Sequence, residues 1–195
     1  MKETYLKYSN LKLAANELGM KWQTLYWHLK KNNIPVTGDK SKYGSATDRF
    51  AAKSESDFMD LVPIAKNMNR SKYQSKIDFK VNDLLIDLKA SKLAARCKKS
   101  KSKNWAFSIK KQELMADFIV CFGYVESDIE SIFLLPKEIV RFKTTISIPR
   151  NASNSKYGDY LVSKDELREF FEVTTAISDS VAAQDNSRGE LWGIK

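Results

Sequence analysis

The chain has 195 residues, with 33 Lys and Arg against 24 Asp and Glu, and a formal net charge of +9. Hydrophobic residues make up 43% of it, which is enough for a folded core and excludes wholesale disorder. No apolar run reaches the roughly 18 residues of a membrane span, and the first residues hold no apolar signal core. Two cysteines, Cys97 and Cys121, are too few for a disulfide framework, so we expect a cytoplasmic protein. A single histidine, His28, excludes the usual zinc fingers and the nucleases that need several histidines.

Basic residues are concentrated in the first three quarters of the chain. Between Lys89 and Lys111 there are nine Lys and Arg and no acidic residue. A run of this kind attracts polyanions such as nucleic acid, although a solvated basic face is the alternative interpretation. We therefore predict that Lys92, Lys98 and Lys99 contact DNA.

Residues 1 to about 35 contain two short helical patterns separated by a glycine. Asn10 offers an N-cap for the first, and Gly19 ends it in the way that C-terminal glycines do. The second helix is predicted to bury one apolar face, formed by Trp22, Leu25, Tyr26 and Leu29. The spacing Ala15-(three residues)-Gly19-(five residues)-Leu25 resembles the helix-turn-helix family.

That resemblance implies that the second helix enters the major groove of DNA with its N-terminal part. The side chains that point away from its apolar face are then the candidate contacts, namely Lys21, Gln23, Thr24, Trp27 and Lys31. Glutamine can bond adenine bidentately, and lysine can bond guanine or phosphate. A plain helical hairpin that packs on the rest of the protein is the alternative.

The remaining pattern predicts an α/β domain with a mixed sheet flanked by helices, preceded by the small all-α module. The predicted domain organisation is a helix-turn-helix module at 1–38, a polar linker at 39–47, the α/β domain at 48–175 and a polar tail at 176–195. Ser163 and Glu166 form a capping-box pattern for a last helix. The other predicted elements are a helix over 48–69 kinked or split at Pro63, strands at 75–81, 84–90, 105–109, 117–124 and 132–135, and a short helix at 110–116.

The first two strands carry an acidic pair. If residues 82 and 83 form a two-residue turn, Val81 pairs with Leu84, and Asp78 then lies opposite Asp87. Opposed Cβ atoms in a hairpin are about 4.5–5.5 Å apart, and Lys89 shares the face of Asp87. Two carboxylates that face each other need a cation, which a neighbouring lysine or a divalent metal can supply.

The motif Asp78-(eight residues)-Asp87-Leu88-Lys89, on a strand-turn-strand after a helix, resembles the PD-(D/E)XK nuclease superfamily, which includes restriction enzymes, Holliday-junction resolvases and some homing endonucleases. The resemblance covers about residues 46–150. It implies that Asp78 and Asp87 bind Mg²⁺, for which Mn²⁺ can substitute, and that Lys89 orients or activates the attacking water. It also implies an assisting glutamate on the preceding helix, for which Glu55 fits best and Asp57 and Asp60 are rivals.

The resulting expectation is a Mg²⁺-dependent, site-specific endonuclease of the homing or phage type that acts on double-stranded DNA in a bacterial or phage-infected cell. A type II restriction enzyme or a Holliday-junction resolvase is the alternative within the class. A non-catalytic DNA-binding regulator is the alternative outside it, and an RNA-processing enzyme is a third candidate. No membrane partner is expected, and a homodimer is the default assembly for cutting two strands.

Overall fold

The computed structural model describes residues 1–70, 77–95, 102–109 and 115–174. Several predictions therefore fall outside the described residues: the DNA contacts at Lys98 and Lys99, Cys97, most of the helix at 110–116, and the polar tail. Within the described ranges, none of the helices combines the length and the apolar composition needed to cross a bilayer.

Three helices form the N-terminal module: α1 (Lys2–Tyr8), α2 (Leu11–Glu17) and α3 (Trp22–Lys31). The Asn10 side chain accepts hydrogen bonds from the backbone N–H groups of Lys12 and Leu13, as its N-cap position predicts. Their small shared core comprises Tyr5, Ala14, Ala15, Leu25 and Leu29. The sequence pattern did not predict α1, which has a single buried residue.

The chain turns between α2 and α3 at Gly19, whose φ of +61° suits a residue without a Cβ atom. One prediction about α3 is wrong. Trp22 was expected on the buried face with Leu25 and Leu29, yet 43% of it is exposed. Trp22 is the first residue of the helix, so its side chain lies at the end of the helical core and not inside it.

Two further helices lead into the sheet, the short α4 (Lys40–Tyr43), which lies inside the predicted linker, and the long α5 (Ala46–Leu61). Ser45 and Asp48 form a capping box at the start of α5. The helix predicted over 48–69, kinked or split at Pro63, is too long at its C-terminal end, because α5 ends at Leu61, before the proline. Proline disfavours helical geometry at the residue before it, and Val62 has a non-helical φ of −127°.

A six-stranded mixed sheet is the centre of the α/β domain, with the order β1-β2-β3-β6-β7-β9, and a separate three-stranded sheet has the order β4-β5-β8. β3 and β6 are parallel, and all other neighbours are antiparallel. The strands are β1 (Lys66–Asn67), β2 (Phe79–Val81), β3 (Leu84–Lys92), β4 (Ala94–Ala95), β5 (Lys103–Ser108), β6 (Phe118–Val125), β7 (Asp128–Pro136), β8 (Thr145–Pro149) and β9 (Leu161–Val162).

The two faces of the large sheet form two separate cores. One face packs Phe79, Ile86 and Phe122 against Phe58 of α5 and Phe171 of the last helix, α7, which covers residues 164–174. The opposite face, together with the small sheet and α6 (Lys137–Val140), buries a second cluster that includes Trp105, Ile119, Cys121 and Phe133. The predicted capping box of α7 is confirmed, since Ser163 N donates to Glu166 Oε2 and Glu166 N to Ser163 Oγ.

Candidate active site

The β2–β3 hairpin has the predicted register. Val81 pairs with Leu84 and Phe79 with Ile86, and the turn at residues 82–83 places Asn82 at a φ of +53°. Of the predicted strand at 75–81, residues 77 and 78 lie before the strand, because β2 begins at Phe79, and residues 75 and 76 are outside the described residues. Asp78 therefore precedes the regular ladder. Its N–H group donates to Ile86 O at 3.1 Å, and its carboxylate oxygen Oδ2 accepts the Leu88 N–H group at 2.9 Å.

Asp87 lies in β3, the second strand of the hairpin, with only 14% of its side chain exposed. In the adjacent parallel strand β6, Ile119 pairs with Asp87 and Cys121 pairs with Lys89. Both β6 residues are fully buried. Lys89 Nζ donates to Asp87 Oδ1 at 2.5 Å. The Asp78 carboxyl group is also within hydrogen-bonding reach of Asp87. The predicted meeting of two carboxyl groups and one ammonium group therefore occurs in this structure.

Burial raises the pKa of the Asp87 carboxyl from its ordinary 3.8 to about 6. The Lys89 ammonium opposes this increase, and the Asp78 carboxyl adds to it through both its charge and its hydrogen bond. The cluster therefore contains two adjacent carboxyl groups and one ammonium group, which is bonded to Asp87.

Glu55 joins this cluster through two asparagines that the sequence analysis did not single out. Asn69 Nδ2 donates to Asp78 Oδ1 at 3.0 Å and to Glu55 Oε1 at 3.3 Å. Asn67 Nδ2 donates to the other Glu55 oxygen, Oε2, at 3.0 Å. Asn67 ends the two-residue strand β1, and Asn69 lies in the 3-10 turn that follows. Neither segment is long enough to show a periodic pattern, so no signal in the sequence marks them.

The two rivals of Glu55 have other partners or surroundings. Asp57 Oδ2 accepts hydrogen bonds from Lys53 Nζ and from the Tyr124 hydroxyl, both at 2.6 Å. Asp60 borders a separate depression together with Asp128. Of the three acidic residues, Glu55 is therefore the one that the hydrogen bonds of Asn69 connect to Asp78.

The ligand set that the protein itself offers is small. In the part of the chain that the structure describes, no three His, Cys, Asp or Glu side chains come together as ligands for a metal ion. The paired carboxyl groups of Asp78 and Asp87 remain. This set fits Mg²⁺, which proteins usually bind through one or two carboxylates while waters and substrate phosphates complete the octahedron.

The residues of α3 and its N-cap that were predicted to contact DNA are all exposed: Lys21, Gln23, Thr24, Trp27 and Lys31. Lys30 Nζ lies 5.2 Å from the centre of the Trp27 ring, which adds a further cation to this surface.

Lys92 is exposed as predicted, and its ammonium lies 5.2 Å from the centre of the Phe50 ring. Neighbouring Ser91 is buried, and its Oγ accepts the Ala106 N–H group, so it connects the two sheets.

A cleft of about 470 Å³ opens beside the cluster. Glu55, Asn67 and Asn69 line one part of it, and residues 37–41, which lead into and begin α4, line another. The cleft gives a ligand outside the protein a route to Glu55 and to both asparagines.

Comparison with known proteins finds similarity at the level of solved structures. No protein-family model matches the chain, and no curated protein matches it. Among solved structures, a bacterial homing endonuclease is similar, with a TM-score of 0.40 and 16% sequence identity, over 73% of this chain and 98% of that chain. A score at this level is too low to assign a family or an activity, so function has to be inferred from the site itself.

Proposed function

We propose that the chain is a Mg²⁺-dependent, site-specific DNA endonuclease of the homing or phage type. The observation that supports this most is the cluster on the β2–β3 hairpin. Two carboxyl groups, Asp78 and Asp87, lie within hydrogen-bonding reach of each other, and Lys89 is bonded to one of them. Hydrolysis of a phosphodiester needs oxygen ligands for a hard cation and a positively charged donor beside it, and this cluster offers both.

Each residue has a distinct role in this proposal. Asp78 and Asp87 would hold Mg²⁺, which when bound supplies positive charge to the phosphate oxygens and to the leaving oxygen. Lys89 orients the attacking water. The water oxygen forms a bond to phosphorus as the bond from phosphorus to the leaving oxygen breaks. The proton lost by the water passes to solvent, and the leaving oxygen takes up a proton from solvent. Glu55 assists from α5, at a position that Asn67 and Asn69 fix.

The N-terminal module would select the site of cleavage. A helix in the major groove reads bases with its N-terminal residues, and the exposed Gln23 and Thr24, with the N-cap Lys21, lie at that end of α3. The proposed partner is therefore double-stranded DNA. With one cluster per chain, cutting both strands needs either a homodimer or two successive nicks.

The test compares cleavage with binding in matched variants. Asp87→Ala and Lys89→Ala are expected to abolish Mg²⁺-dependent cutting of a randomised duplex library and to leave DNA binding in EDTA unchanged. Asp83→Ala and Lys80→Ala are the controls, since they lie on the same hairpin and pair with each other at 3.5 Å. Cutting that survives in both Asp87→Ala and Lys89→Ala would remove the assignment.

One observation favours the alternative of a non-catalytic DNA-binding regulator. Lys89 and Asn69 already provide hydrogen bonds to the two carboxyl groups without any metal. In that case neither Mg²⁺ nor Ca²⁺ would change the melting temperature, and no strand would be cut. Restriction, resolvase and RNA-processing activities would be separated by trials with methylated duplexes, four-way junctions and RNA.

A further inference from the structure

Two exposed aromatic side chains border a cleft of about 420 Å³ beside the N-terminal module. Trp22, at the start of α3, is 43% exposed, and Tyr43, at the end of α4, is 47% exposed. Lys12 and Lys40 line the same cleft. Large aromatic rings left in water next to lysines are typical of surfaces on which nucleobases stack.

The wall between the two aromatic residues is fixed to the helical module. Gly38 N donates to the Tyr5 hydroxyl at 3.3 Å, and Asp39 N donates to Ser9 O at 2.8 Å. The Asp39 carboxylate caps α4 by accepting the N–H groups of Ser41 and Lys42. The cleft therefore has a hydrogen-bonded wall, and the two acidic residues in its lining, Asp39 and Asp48, are both engaged in helix caps.

This cleft continues into the one beside the candidate active site. The two share Ser9 and residues 37–40 in their linings. The first contains Trp22 and Tyr43, and the second contains Glu55, Asn67 and Asn69. A strand that lies in both would run from the aromatic residues to Glu55 and to Asn69, whose amide is bonded to Asp78.

We propose that the Trp22–Tyr43 cleft binds unpaired nucleotides of the nucleic-acid strand that is cut. Bases within a duplex are stacked on one another and offer only their edges, whereas an unpaired base has a free face for an aromatic ring. The preferred substrate is then a nucleic acid with an unpaired segment next to the cleaved bond. This inference deepens the proposed nuclease function and rests on it for the identity of the cut strand.

The experiment measures binding in EDTA, so that it does not depend on cleavage. The full chain is titrated into fluorescent probes of one sequence: a fully paired DNA duplex, the same duplex with a short unpaired segment that contains 2-aminopurine, and an RNA version of the second. Trp22→Ala, Tyr43→Ala and Trp22→Phe are compared with Phe142→Ala. Phe142 is 81% exposed and lies outside both clefts, so it is a matched control for the loss of a surface ring.

Wild-type protein should bind the probe with the unpaired segment more tightly than the duplex and change its 2-aminopurine fluorescence. Trp22→Ala and Tyr43→Ala should each weaken binding to that probe on the order of 10-fold, with no effect on the duplex. Trp22→Phe should restore much of the affinity, and Phe142→Ala should have no effect. Tighter binding of the RNA probe through the same two residues would also support the cleft and would identify the strand as RNA.

Equal affinity for paired and unpaired probes would overturn the proposal, as would equal losses on both probes in the Trp22 and Tyr43 variants. A change of oligomeric state in these variants, without a change in nucleic-acid affinity, would overturn it too, because the rings would then contact a second copy of the chain. Tyr43→Ala keeps the test valid if Trp22→Ala does not fold. The proposed nuclease function fails separately, through cutting that persists in both Asp87→Ala and Lys89→Ala.

Discussion

Asp87 is a carboxyl group that the fold holds away from water and beside a second carboxyl group. Its pKa is raised to about 6 in the folded chain, above its ordinary 3.8. A group of this kind binds its proton more tightly when folded, so the folded state loses stability as the pH rises from the lower pKa through the higher one. A divalent cation bound there, as proposed, would remove this cost, because it would stabilise the ionised form.

Replacing the carboxyl group should remove the dependence on pH. In EDTA, the melting temperature of the wild-type protein should contain a component that falls between about pH 4 and pH 6, and Asp87→Asn should lack that component and melt higher than wild type at pH 8. Thermal unfolding across this pH range measures both effects. Asp83→Asn, in the exposed turn of the hairpin, is the control, and curves that run parallel for wild type and Asp87→Asn would contradict the explanation.

Asn69 is a positioning residue by its contacts, since one amide group donates to both Glu55 and Asp78. Asn69→Leu should raise the Mg²⁺ concentration needed for half-maximal cutting by roughly 10-fold, the size of effect typical of groups that orient metal ligands. Mn²⁺ calorimetry without DNA should show the same loss of affinity. Asn67→Ala should have a smaller effect because Asn67 contacts only Glu55 among these carboxylates. Equal Mn²⁺ affinity in Asn69→Leu and wild type would contradict this role.

Among the secondary-structure elements, β6 packs closely against the small sheet at Gly123, where the Trp105 ring contacts the backbone. The ladder between β6 and β7 is irregular between Gly123 and Tyr124, and a Cβ atom added at Gly123 would lie 2.7 Å from the Trp105 ring. The Trp105 indole also donates from Nε1 to Tyr124 O at 3.1 Å. The ring is fully buried and cannot move away freely.

Gly123→Ala should therefore lower the free energy of unfolding by about 1–3 kcal/mol, as overpacking of a filled core does. Urea denaturation measures this change. Ser131→Ala, at the facing position of β7, is the control and should stay close to wild type. A Gly123→Ala variant as stable as that control would show that the contact between the two sheets is looser than the distances indicate.

The sequence predicted those elements whose signals are local. The capping residues Asn10 and Ser163 lie beside the helices they begin, and the pairing of Val81 with Leu84 follows from a two-residue turn. Because the acidic pair depends on that turn, most of the candidate site was predictable as well.

The remaining features depend on contacts between distant segments. Trp22 is exposed because it lies at the end of the helical core, and helical periodicity alone does not show where a core ends. Asn69 reaches Glu55 across fourteen positions of the chain from a 3-10 turn that has no repeating pattern. The pairing of β3 with β6 was not predicted either, because parallel strands are joined by long connections that sequence spacing does not resolve.

At the scale of the whole molecule, a net charge of +9 favours binding to a polyanion, and its strength should depend on salt. Lys21→Ala and Lys31→Ala should each lower the slope of log affinity against log salt concentration by about 1, the value for one lost phosphate contact. Binding titrations of duplex DNA at several salt concentrations measure this slope. Lys143→Ala removes an exposed lysine outside α3 and serves as the control. If the Lys21→Ala and Lys31→Ala variants both had the wild-type slope, DNA would bind to a surface other than α3.

The whole account depends on one ion at one place in the fold. The most direct measurement is anomalous X-ray scattering from a crystal soaked in manganese. We predict a single strong peak between the carboxyl groups of Asp78 and Asp87, next to the Lys89 ammonium, which disappears in Asp87→Ala. A soaked crystal with no peak at these carboxyl groups, or with manganese bound only elsewhere, would contradict the account.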